Sequence, residues 1–120
     1  MPKEIVKNAV ENGLKGHIKT IETVLNQTPD CSFMTKAFLG HIIETGEVFP
    51  SDNIPGPMNT IRSIRYLYNG ASEDDKATLR TVFQSVHDAL SPLEGEELDK
   101  DNTLFLRNIK RDVDDTLNLE

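Results

Sequence analysis

The side chains best suited to nucleophilic or metal chemistry are Cys31 and three histidines, His17, His41 and His87. A catalytic cysteine needs a thiolate and a base within reach. Cys31 falls at the start of a predicted helix, whose N-terminus lowers a thiol pKa, while neighbouring Asp30 opposes that. The histidines lie on three different predicted helices and form no HxxxH pair. His41 falls on the apolar stripe of its helix, where a histidine serves as a core or boundary residue. All four are therefore read as structural, and neither a metal nor a cofactor is expected. Asp99-Lys100-Asp101-Asn102-Thr103 invites a calcium-loop reading. It fails because the sixth position, Leu104, should be glycine and the twelfth, Lys110, should be glutamate. Phosphate-binding glycine loops, GxSxG and HExxH are missing from the sequence. The paired carboxylates Asp74-Asp75 and Asp114-Asp115 sit at helix ends and read as capping groups. The expectation is a chain that is not an enzyme. An enzyme would need His41, His87 or Cys31 to meet a carboxylate in one cleft.

Binding chemistry is better represented. Arg62, Arg65 and Tyr66 would share one exposed side of a helix. Arginine beside tyrosine suits a protein contact, an anion, a nucleic acid or an acidic peptide. The bland alternative is ion pairing with acids elsewhere in the bundle. The acidic segment 94–101, with Glu94, Glu96 and Glu97, could steer a basic partner, or serve only as a solvated connector. A third surface is the proline-rich stretch 47–57, whose apolar Phe49 and Ile54 suggest an ordered loop anchored to the core.

Charge narrows the partner class. The net charge is −7, and residues 91–120 carry −5 of it against −2 for 46–90 and zero for 1–45. Such a surface repels phosphate backbones and anionic membranes, so nucleic acid and membrane are not expected partners. A lone cysteine rules out an intramolecular disulfide and fits a reducing compartment. No long apolar stretch follows Met1-Pro2-Lys3-Glu4, and no run approaches the ~20 residues of a membrane span. A cytoplasmic location is expected.

The elements that must position these residues are helices. At 120 residues the chain is read as a single domain, 1–120. Val6, Val10, Leu14, Ile18, Ile21 and Leu25 recur at helical spacing over 4–26. Gly13 and Gly16 interrupt that segment. Either another backbone approaches there, or the helix bends or breaks. Thr28-Pro29 stops it. A second helix is predicted over 31–45, capped by Asp30 or Ser32 and ended by Gly46, with Phe33 or Met34, Ala37, Phe38, His41 and Ile42 facing the core. A third covers 57–69, with Pro57 in its first turn and Met58, Ile61, Ile64 and Leu67 or Tyr68 inward. The fourth runs from the Ser72 cap to Leu90, with Glu73, Asp74 and Asp75 complementing its dipole. The last begins near Asp101 or Asn102, and Phe105, Ile109, Val113 and Leu117 follow at four-residue steps. The pattern predicts an all-α, single-domain bundle of about five helices. The function it suggests is non-catalytic binding to a protein partner, as a regulator, inhibitor, adaptor or immunity-type protein. The alternative is a helical small-ligand-binding protein with an anion contact at Arg62 and Arg65.

Overall fold

The computed structural model describes residues 4–46 and 56–118, and among them every regular element is helical. The described residues form six α-helices: α1 (Glu4–Leu14), α2 (Ile18–Asn26), α3 (Phe33–Thr45), α4 (Gly56–Gly70), α5 (Glu73–Leu90) and α6 (Lys100–Leu117). Short 3₁₀ turns fall at Lys15–His17 and Ser91–Leu93. The expected all-α class stands, with one helix more than the spacing suggested. The extra helix arises because segment 4–26 divides in two.

Gly13 explains the division. A Cβ built there would lie 2.8 Å from Val86 Cα and 3.2 Å from the Ser85 carbonyl oxygen, so α1 and α5 touch backbone to backbone. Ser85 Oγ donates to the Gly13 carbonyl at 2.8 Å, taking an acceptor that the next helical turn would use. The chain tightens into the 3₁₀ turn and α2 starts at Ile18. Close approach and break, posed above as alternatives, both occur.

The helix ends follow the signals in the sequence. Ser72 Oγ accepts from Asp75 N at 3.2 Å and caps α5. Ser32 does the same for Thr35 N on α3. Each such cap contributes about 1 kcal/mol. Gly46 closes α3 at φ 76°, a conformation that favours glycine, and its N–H donates to the Ile42 carbonyl. Asp99 caps α6 through Asn102 N at 2.8 Å, two positions ahead of the expected start. Pro57 lies in the first turn of α4, so residues 56 and 57 belong to that helix and not to the preceding loop. Residues 47–55, with Phe49 and Ile54, lie outside the described region.

The core centres on α5. Leu79, Val82, Phe83, Val86 and Leu90 are buried along it. It packs most extensively against α1 and next against α6. Val6, Val10 and Leu14 come from α1, and Phe105, Leu106, Ile109 and Val113 from α6. Ile61, Ile64, Leu67 and Tyr68 of α4 complete the centre, with the Tyr68 ring edge-on to Phe83 at 6.3 Å.

One predicted face is only partly right, since Ile42 and Phe38 turn inward as expected and the other members do not. On α3 the buried residues are Thr35, Leu39 and Ile42, with Phe38 half-buried, while Ala37 and His41 face solvent. Phe33 is 81% exposed and Met34 75%. This helix is apolar nearly all round, so its period does not single out a face. Packing against α2 and α4 makes the choice. Thr35 is accommodated inside because the Ser32 hydroxyl donates to its Oγ1 at 2.9 Å.

Candidate functional site

Phe33 and Met34 occupy the first turn of α3, directly after the Ser32 cap. Ala37 stands one turn from Phe33, and His41 one turn further, all exposed. On a helix of 3.6 residues per turn these four share a side. The pattern leaves two large apolar side chains in water without any role in the core. The sequence signal was present, because α3 carries more apolar residues than one buried face needs. The surplus lies on the outward side of the helix.

Arg62 and Arg65 do share a side of α4, but they turn to α6. Arg62 Nη2 donates to Asp112 Oδ2 at 3.3 Å. Arg65 Nη1 stands 3.6 Å from Asp112 Oδ1 and 3.9 Å from Asp115 Oδ2. The Asp112 side chain is only 7% exposed. A carboxylate so buried needs its counter-charges, and removing them strands it. These arginines therefore hold α4 to α6, and Tyr66, 55% exposed, is the member of the trio left facing water.

The other flank of α6 meets α5. Arg80 Nη1 donates to the Leu117 carbonyl at 3.0 Å, placing a cation at the C-terminus of α6, where the helix dipole favours one. The same guanidinium lies 5.8 Å from the Tyr68 ring centre. His87 Nδ1 is 3.2 Å from Asp114 Oδ1. Arg80, Thr81, Gln84, His87 and Asp114 line an open cleft of about 620 Å³ between the two helices. A second depression of about 400 Å³ continues from Asp114 along α6, past Lys110 and Arg111 to Arg107 and Glu94. Glu94 is ion-paired with Lys110. Glu96 and Glu97 are exposed.

Sequence reasoning missed this α5–α6 surface. His87 and Asp114 are 27 residues apart on different helices, and nothing local announces their meeting. Arg107, Lys110 and Arg111 did carry a signal, since positions i, i+3 and i+4 share one helical side. No family model, curated protein or solved structure matches this chain. The site must therefore be read from its own chemistry.

Burial pushes the Cys31 thiol above its ordinary pKa, against the nearby Lys36 charge and the hydrogen bond with Thr35. The expected pull of the α3 N-terminus is outweighed, because Cys31 precedes the cap and lies inside. A raised pKa is the opposite of nucleophile activation. His87 does meet a carboxylate in one cleft, the condition set above for an enzyme. Asp114 can orient the ring, and Cys31 lies outside the residues lining that cleft. Among the described residues no three His, Cys, Asp or Glu side chains converge as a metal site. No described helix is long and apolar enough to cross a membrane.

Proposed function

We propose that this protein acts by non-catalytic binding to a protein partner, as a regulator, inhibitor, adaptor or immunity-type protein. The observation carrying the proposal is the exposed Phe33–Met34 pair at the head of α3. Aromatic residues and methionine are enriched where protein surfaces meet. The flexible thioether of Met34 adapts to an uneven partner surface. Ala37 leaves room beside Phe33 for a partner side chain, and exposed His41 supplies a polar edge. Tyr66 on α4 is a further exposed aromatic that the core does not use. The Arg62–Arg65 contribution is secondary, because both guanidinium groups are committed to Asp112.

The test is a double substitution, Phe33→Ser with Met34→Ser. Both side chains are already solvated, so the thermal melting curve should stay within the ~0.5 kcal/mol range of neutral surface changes. Quantitative affinity capture from the native cell should retain a partner on the wild-type chain and lose it on the variant. Equal retention by both chains would refute the proposed surface.

A further inference from the structure

The net charge of −7 hides a local reversal on the exposed side of α6. Arg107, Lys110 and Arg111 fall on one helical side, and Arg80 of α5 stands at its far end beside Leu117. The acids within this strip are Asp114, which faces His87, and Glu94, which is paired with Lys110. Arg107 and Arg111 are exposed, and among the described residues Arg111 donates to the neutral Asn108 amide. We propose that the strip of α6 running from the depression beside Glu94 to the α5–α6 cleft at Asp114 binds a short acidic segment of a protein partner, with Arg107, Lys110 and Arg111 taking its carboxylates. The inference rests on the reading that the chain binds a protein, and it names the chemistry of a second contact.

Three observations support it. The chain already places a carboxylate here, because Glu94 reaches from the connector before α6 onto Lys110. Glu94 thus occupies the groove as an internal stand-in for the partner's acid. The groove is also of mixed character, since Leu106 lines one part and Leu117 the other. That suits a peptide alternating acidic and apolar side chains. Finally, the strip is short. Ten residue steps from Arg107 to Leu117 cover about 15 Å, the length of about five extended residues. A nucleic-acid backbone would run off the strip onto an acidic surface and be repelled.

Glu94 changes role under this proposal. As a lure for a basic partner, its neutralisation would weaken binding. As an internal competitor, its neutralisation frees Lys110 and strengthens the capture of acids.

Fluorescence anisotropy of a fluorescein-labelled peptide alternating Glu and Leu tests this directly. An oligolysine peptide and an oligothymidylate of the same length serve as comparators. The full chain should bind the acidic peptide in preference to both. Arg107→Glu with Arg111→Glu should weaken that binding about tenfold with an unchanged melting curve. Glu94→Gln should tighten it about threefold. Binding should fade as added salt shortens the Debye length from ~10 Å at 0.1 M to ~3 Å at 1 M. The proposal is overturned if the peptide fails to bind, if the arginine reversal leaves binding unchanged, if Glu94→Gln weakens it, or if oligothymidylate binds better. The Phe33→Ser, Met34→Ser variant should bind this peptide as the wild type does. Absent peptide binding with partner capture intact therefore defeats the groove alone, and the reverse pattern defeats the α3 surface alone.

Discussion

Phe83→Ala should lower the unfolding free energy by about 3–5 kcal/mol. Among the described residues Phe83 is the largest of the fully buried side chains, at 1% exposure, and it sits on the central helix. Its loss removes apolar burial, leaves a cavity, and deprives the Tyr68 ring of its edge-on partner. Lys76 and Arg80 also lie against the Tyr68 ring. A small domain has only ~5–15 kcal/mol of stability in total. The urea midpoint should therefore fall steeply, with full-length protein and unchanged conditions. A midpoint equal to that of the wild type would mean that α5 does not present this face to the core.

Gly13→Ala is the second large effect, and it tests the contact that divides the first two helices. The added Cβ would meet Val86 Cα at 2.8 Å, and backbone cannot rotate away as a side chain can. Helices α1 and α5 must then separate, which loosens the Ser85–Gly13 hydrogen bond and the packing of Val10 and Leu14. The expected cost is near the top of the ~1–3 kcal/mol range for overpacking, read as a lower urea midpoint. Gly16→Ala is the matched control. Nothing lies within 4 Å of its added Cβ, and its backbone φ is not positive. It should be neutral or stabilise by up to ~1 kcal/mol through the unfolded chain. Equal effects at the two positions would contradict the close approach at Gly13.

How far the sequence reveals the molecule depends on the element. Helix α5 was legible because it has one apolar stripe and polar residues elsewhere, so period and burial agree; on α6 the stripe of Phe105, Ile109 and Val113 is buried as expected, but so are polar Asn102, Asp112 and Thr116. The Ser72 cap marks the start of α5 through a local hydrogen bond that needs no tertiary information, whereas the start of α6 at the Asp99 cap falls ahead of the Asp101 or Asn102 expected from the sequence. The face of α3 was not legible. Phe33, Met34, Phe38, Leu39, Ile42 and Ile43 surround the helix, so only contact with α2 and α4 selects Leu39 and Ile42 for burial. Gly13 lay between cases: its oddity was visible, but the approaching backbone of Val86 was not.

The site was less legible than the fold for a related reason. Arg62 and Arg65 were recognisable as a basic pair, yet their partner Asp112 is 50 residues from Arg62. Whether a charge serves binding or folding is decided by such distant partners. His87 with Asp114, and Glu94 with Lys110, likewise exist only once α5 and α6 are side by side. Long-range pairing between charges leaves no periodic trace in the chain. The exposed Phe33 and Met34 were misread because an apolar residue on a helix is ordinarily inward, and here the outward side carries them.

The central claim, that the head of α3 is a docking surface for another protein, is tested most directly by photocrosslinking in the native cell. A benzophenone amino acid replaces Phe33 in one variant and exposed Glu22 of α2 in a control. After irradiation, the position-33 variant should give one discrete adduct with a different protein, and the control should not. That adduct should disappear when Met34→Ser is added. A position-33 adduct with a second copy of this chain, the same adducts from both positions, or none from either would contradict the account.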